Sequence, residues 1–312
     1  MTPPAPPLVK LEARDLAYFA VLAEHGNLRR AAEALDLSQP ALSKSLRRLE
    51  AAAKTKLVKR TPKGVELTAV GSALLAHARR LRLYLDDVGH EVADLSHGRA
   101  RHLRIGATPG YVGNPLTPTC TRLLREAPRV TLNITIGGNE LLLPALRNGE
   151  LDLSISGIPA SPHKDVAYEH LFDDAFVVYA SARHRLANRK QVTIGQLARE
   201  RWALAGSNTV AHQMLRRALE DGGLPPPTIA METAAMRPKI NLVASSDVLG
   251  LTARRFVREA AAPLDLVEIR VQGLPWIRPV GVCHRKDAYL SPAARRFIEI
   301  LKSTARGLGK ES

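Results

Sequence analysis

Residues 27–50 read NLRRAAEALDLSQPALSKSLRRLE, two short helices joined by a tight turn. Asn27 offers a side-chain oxygen to the free amides of the first helix, which runs to Leu35. Ala31, Ala32 and Leu35 line one of its faces, and the alanines let a second helix approach closely. Asp36-Leu37 turns the chain. Ser38 caps the second helix, and Pro40 sits in its first turn, where a missing N–H costs little. Leu37 and Leu42 hold the two positions of a hydrophobic staple. Leu42, Leu46 and Leu49 recur at spacings of four and three and form the inner face. The outcome is a helix-turn-helix. Its outward face carries Gln39, Pro40, Ser43, Lys44 and Arg47 next to the cap Ser38. A helix of this width fits the major groove of DNA, with its N-terminal residues at the base edges. Gln39 suits a bidentate contact to adenine, Pro40 an apolar contact to a thymine methyl, and Ser43 either donates or accepts. Lys44 and Arg47 reach guanine or phosphate.

Upstream, residues 1 to about 10 read as a disordered tail, and Leu11 to Gly26 as a helix with Leu16, Phe19, Leu22 and Ala23 on one face. Downstream, Lys56 to Arg60 and Gly64 to Leu67 form a small β-ribbon that turns at Pro62, Lys63 and Gly64. Arg60 and Lys63 are its candidate DNA contacts. From Ser38 to Gly64 the chain has eight lysines and arginines against one acid, Glu50, within a net charge of +15. That distribution predicts a local surface for a polyanion. Thr68 caps a long helix to about Leu95. Ala78, Leu85 and Val92 alternate there with Leu74, Leu81, Val88 and Leu95 at heptad spacing, which predicts a dimerising seam. An ordinary helical hairpin would share the caps and the apolar spacing. The basic ribbon and the long helix do not follow from that blander reading.

Beyond residue 100, apolar strands alternate with helices: Leu103–Ala107, Asn114–Glu126, Val130–Ile136, Glu140–Asn148 and Leu151–Ser156. Such alternation predicts a parallel sheet covered on both faces. Phe176–Ala180, Thr193–Leu197, Val210–Asp221 and Lys239–Ser245 continue it. A late strand, Val280–Cys283, and a final helix, Pro292–Thr304, close it. Ligands bind such sheets at strand C-termini, near helix N-termini. The candidate effector residues are Thr108, Pro109, Gly110, Gly138, Asn139 and Ser156, opposed by Ser207, Asn208, Thr209 and Thr252. Free amides there favour a small anionic or polar metabolite.

Other classes recede. The glycines of residues 106–113 have the wrong spacing for a dinucleotide loop, and no HExxH, GxSxG or Walker sequence occurs. No catalytic residue, metal ligand or cofactor is expected. Cys120 and Cys283 form no CxxC, and the first alternative is a redox switch through this pair. A small-molecule enzyme is the second. The N-terminus lacks the apolar core of a signal peptide, and no apolar run nears the roughly 20 residues of a membrane span. A soluble cytoplasmic protein without membrane contact is the expectation.

Residues 11 to 98 resemble the N-terminal region of the LysR-type transcriptional regulators. The match rests on residues 16–19 (LAYF), 31–35 (AAEAL), 38–43 (SQPALS), 46–50 (LRRLE), 57–60 (LVKR), 64–68 (GVELT) and Gly71. Residues 103–106 (LRIG), 149–152 (GELD) and 291–295 (SPAAR) extend it more loosely. The resemblance implies an α+β multidomain chain. A winged helix-turn-helix would span 11–67, a linker and dimerisation helix 68–98, and an effector-binding α/β region 102–312. That region would hold two Rossmann-like subdomains, about 102–172 with 280–312, and about 173–279. It also implies a homodimer or homotetramer on a dyad-symmetric promoter site in double-stranded DNA, with RNA polymerase as a further partner. Val58 stands where the family usually has Phe, and Ala253 where Pro is common.

Overall fold

The computed structural model describes residues 11–62, 64–97, 102–273 and 276–308. The tail 1–10 and Lys63 lie outside them, as do the side chains of Arg60 and Leu95. The chain divides into two compact units, Met1–Leu95 and Ser96–Ser312.

The first unit contains α1 (Ala13–His25), α2 (Leu28–Ala34), α3 (Gln39–Ala53), the antiparallel pair β1 (Val58–Thr61) and β2 (Gly64–Leu67), and α4 (Ala69–His97). Its caps are local chemistry. The Asn27 side chain accepts from the Arg29 and Arg30 amides at 2.8 and 3.2 Å, and Ser38 Oγ accepts from the Ala41 amide at 3.3 Å. Thr68 Oγ1 accepts from the Gly71 amide at 3.0 Å and donates to the Lys56 carbonyl at 2.8 Å, which ties the start of α4 to the ribbon. Two glycines are required by close approach. A Cβ on Gly71 would sit 2.0 Å from the Leu57 carbonyl oxygen, and one on Gly64 2.3 Å from that of Gly26. Phe19, Leu22, Ala31, Leu42, Leu49, Leu57, Val58 and Ala78 share one core. Val58 is buried despite its smaller size.

That core corrects the reading of the long helix. Ala78 is fully buried in it, and Leu74 and Leu81 pack against it. The first turns of α4 therefore belong to the helix-turn-helix core. Past them the apolar residues Leu85, Val88 and Val92 are exposed at 50%, 39% and 57%.

The second unit holds, among its described residues, one nine-stranded sheet in the order β4-β3-β5-β11-β6-β9-β7-β8, with β10 also paired to β6. The strands are β3 (His102–Ala107), β4 (Thr131–Ile136), β5 (Leu153–Gly157), β6 (Val166–Ser181), β7 (Arg201–Leu204), β8 (Thr228–Glu232), β9 (Leu249–Ala253), β10 (Leu266–Ile269) and β11 (Trp276–Arg285). The helices are α5 (Thr117–Glu126), α6 (Asn139–Arg147), α7 (Ile194–Leu197), α8 (Val210–Asp221), α9 (Met236–Ser245), α10 (Arg254–Leu264) and α11 (Pro292–Leu308). The sheet is mixed, a departure from the all-parallel expectation. β4-β3-β5 and β9-β7-β8 run parallel, while the long β6 and β11 run antiparallel to each other and join the two groups.

Strand alternation sorts the core. On β6, Phe176, Val178 and Ala180 face the α7/α8 layer, and Ala175, Val177 and Tyr179 face the α9/α10 layer. On β5, Leu153 and Ile155 pack with Phe297 and Leu301 of α11, so Ser154 and Ser156 point to the opposite face. Cys283 lies on that opposite face with α6, whereas Cys120 packs on the α11 side. The sheet separates the two thiols, and burial pushes each up to about 11. The redox-pair alternative falls on this geometry.

Candidate nucleic-acid interface and ligand cavity

At about 100° per residue, Gln39, Ser43, Arg47, Pro40 and Lys44 fall within one arc of α3 about 140° wide. Gln39, Pro40, Lys44 and Arg47 are exposed and Ser43 is half-buried. The opposite arc carries the buried Leu42, Ser45, Leu46 and Leu49. Ser38, exposed at the cap, spends its side-chain oxygen on the Ala41 amide.

Two of the eight counted cations, Arg48 and Lys56, are exposed but pair with buried carboxylates. Arg48 donates to the buried Asp15 at 3.0 Å from Nε and 2.6 Å from a terminal nitrogen, and Ser45 Oγ donates to Asp15 at 2.6 Å. Burial raises the Asp15 carboxyl. The hydrogen bonds from Arg48 and Ser45 and the charges of Arg48 and Arg14 outweigh it, so the group titrates below its usual value. This clamp fixes the pitch of α3 on α1. Lys56 pairs at 2.7 Å with the buried Glu50, whose other oxygen accepts from the Leu57 amide at 3.0 Å. Of the other six, the four whose side chains are described, Lys44, Arg47, Lys54 and Lys59, are all exposed. Neither Arg48 nor Lys56 is among the candidate DNA contacts, so the ion pairs leave that set unchanged.

In the second unit a cavity of about 120 Å³ opens at the ends of β3, β4, β7 and β9. Thr108, Pro109, Gly110, Gly138, Asn139, Thr209 and Thr252 line it. Three sequence candidates do not. Ser156 is fully buried on the far face of β5, 3.8 Å from Cys283 Sγ, because the strand runs one residue further than expected and alternation turns it inward. Ser207 and Asn208 are exposed in the turn before α8, outside the lining. Ala253 is part of the wall.

The lining also contains Lys239, Arg278, His212, Phe176 and Glu140, which sequence reading passed over. A lysine within an amphipathic helix ordinarily reads as a solvent group. Here Lys239 is 4% exposed, and burial pulls its ammonium down to about 8. Among the described residues no carboxylate pairs with it. Three helices begin at this cavity: α6, α8 and α9, with Gly138, Thr209 and Ala235 at their caps, and in none does a side chain satisfy the amides. Thr209 turns its hydroxyl away, to the Gly206 carbonyl at 2.8 Å. α8 and α9 have no acid in the first turn, and Glu140 of α6 is exposed at the rim. Thr108 Oγ1 is buried with no hydrogen-bond partner. The Asn139 amide donates to the Gly157 carbonyl at 2.7 Å and holds α6 against the end of β5. Unsatisfied amides, positive helix ends and an unpaired ammonium make the cavity electropositive.

The model of the bacterial regulatory helix-turn-helix protein of the lysR family matches residues 13–72, and that of the LysR substrate binding domain matches 96–306. The chain belongs to the LysR family of transcriptional regulators. Its DNA-binding half is the helix-turn-helix unit, and its second half is the family's effector-binding domain. The LysR-family chain is 32% identical over 291 residues to the SDS degradation transcriptional activation protein of a Pseudomonas species, across 91% of this chain and 93% of that protein. It is 27% identical over 300 residues to the regulator GbpR of Azospirillum brasilense, across 95% and 87%. A full-length OxyR variant from Pseudomonas aeruginosa superimposes with a TM-score of 0.63 at 25% identity, covering 95% of each chain. Among the described residues no helix is long and apolar enough to cross a membrane, and no three metal-binding side chains cluster.

Proposed function

We propose that this LysR-family regulator reads a dyad-symmetric promoter site as a dimer and that a small anionic metabolite, held in the cavity of its second unit, controls it. Gln39, Pro40, Ser43, Lys44 and Arg47 read the major groove, and the ribbon cations Arg60 and Lys63 follow the phosphates. The exposed stripe Leu85, Val88 and Val92, continued by Leu81, supports a helix-helix seam between two copies. β6 and β11 serve as the hinge strands between two subdomains, about 102–172 with 280–312, and about 173–279. The ligand then acts by favouring one subdomain arrangement, and only by as much as its affinity differs between the two. The protein works in the cytoplasm, where promoter DNA and RNA polymerase are, and the reading contains no catalytic step.

One observation carries the effector reading: three helix N-termini without side-chain caps meet the unpaired ammonium of Lys239 at one cavity. The test of the DNA half is titration of the full chain onto the fragment upstream of its gene and onto a scrambled fragment of equal composition. The upstream fragment binds about 10³-fold tighter or more at physiological salt. Equal affinity for the two would reduce α3 to a backbone contact.

A further inference from the structure

The cavity lining is short of one negative charge. Arg278 stands directly across the ladder from Asp174. Its guanidinium lies 4.0 Å over the Phe176 ring and donates to Tyr111 Oη at 3.2 Å. Asp174, which the charges of Arg255 and Arg278 both act on, is the carboxylate that faces Arg278. His212 Nδ1 donates to the Ala205 carbonyl at 3.1 Å. Glu140 points its carboxylate back over Gly138 at the solvent rim. Lys239 alone among these lining groups has no counter-charge. It sits in the first turn of α9, where the helix dipole adds to its discomfort. The rest of the wall is largely apolar, with Ile136, Leu204, Val210, Met236 and Leu251 beside Phe176.

We infer that the cavity takes a monocarboxylate with a compact apolar body, its head paired with Lys239 and its hydrocarbon against the Phe176 wall. This rests on the cavity being the effector site. A monoanion restores neutrality, whereas a phosphate ester brings roughly two charges. A carboxylate also has lone pairs for Thr108 Oγ1 and for the free amides of α8 and α9. The size agrees: a dry cavity of roughly 150 Å³ accepts a benzene ring, and this one holds about 120 Å³. The head needs the ammonium form. Lys239 loses its proton above about pH 8 in the empty cavity, so ligand affinity falls with rising pH. The other charged or ionisable side chains of the lining are Glu140, His212 and Arg278.

Calorimetry and thermal shift on the full chain decide the matter. The probes are butanoate, hexanoate and cyclohexanecarboxylate, their neutral amides, succinate, glutarate and inorganic phosphate. Two substitutions frame them: Lys239→Met removes the charge, and Ala205→Leu fills the cavity. At least one monocarboxylate binds, its amide binds about 100-fold more weakly, and both substitutions abolish binding. From pH 8.5 to 10 affinity falls nearly tenfold per unit in the wild type and stays level in Lys239→Arg, whose guanidinium keeps its charge. Tighter binding of an amide, a dicarboxylate or phosphate overturns the inference, as does unchanged carboxylate binding by Lys239→Met. If Ala205→Leu still blocks that binding, the effector-site reading survives alone. If Ala205→Leu binds normally, or no probe binds at all, the effector-site reading falls and takes the inference with it.

Discussion

Replacing Lys239 by Met should make the ligand-free protein more stable. The ordinary lysine value is 10.5, and burial brings Lys239 down to about 8. The gap of about 2.5 units, at 1.36 kcal/mol per unit, is about 3 kcal/mol. The sign follows from linkage. Below pH 8 the folded chain holds a charged, buried ammonium and bears the whole cost. Between 8 and 10.5 the folded lysine gives up its proton before the unfolded one, so stability rises with pH. Above 10.5 both are neutral and the cost is gone. Lys239→Met, of similar shape and uncharged, therefore gains about 3 kcal/mol at pH 7 and close to nothing at pH 10.5. For a domain of this size that is about 6–12 °C in melting temperature. Both tryptophans, Trp202 and Trp276, lie in the second unit, so their fluorescence follows its melting without interference from the first. A variant that melts at or below the wild-type temperature at pH 7 refutes the argument. So does a gain of equal size at pH 10.5, which would belong to packing rather than charge.

Gln39→Ala costs about 1–3 kcal/mol on the specific site and little on random DNA, measured by paired titrations; equal losses would make Gln39 a positioning contact. Leu85→Asp places a carboxylate in the proposed seam without a partner and dissociates the dimer in sedimentation; an unchanged mass would confine α4 to its own domain. Asp15→Ala leaves Ser45 and Arg48 without their shared acceptor and costs about 1–3 kcal/mol of helix-turn-helix stability. Since the Asp15 carboxyl is depressed in the fold, its contribution is complete above its ordinary value and disappears as pH falls through the folded one. Urea melts of wild type and Asp15→Ala should converge in strong acid, and parallel curves would sink the clamp.

The helix-turn-helix was legible because its signals are local. Asn27, Ser38 and Thr68 each cap within three residues, and Leu42, Leu46 and Leu49 repeat along one helix. What escaped was direction and pairing across long separations. Arg48 reads as one more surface cation until Asp15, 33 residues away, is brought beneath it. The first half of β6 carries Glu169, His170, Asp173 and Asp174, so its polarity hid a strand that the register with β11 makes plain. That register also makes the sheet mixed, since antiparallel partners more than 100 residues apart leave no hairpin turn in the sequence. At the cavity, strand-end turns pointed to Thr108, Gly138 and Asn139 on general grounds. Ser156 failed because β5 continues through Gly157, which keeps Ser156 within the strand, on the face opposite Ile155, and not in the turn beyond it. Lys239 was illegible because only the packing of α9 against β6 and β7 distinguishes a buried lysine from an exposed one.

The central claim is that a ligand in the second unit changes how the first engages DNA. Its most direct measurement is a hydroxyl-radical footprint on the upstream fragment, with and without the tightest-binding probe, for the wild type and Ala205→Leu. The account predicts a shifted or shortened footprint in the wild type on adding probe, and no change in Ala205→Leu. An identical wild-type footprint with the probe bound, or an equal shift in the filled variant, would contradict it.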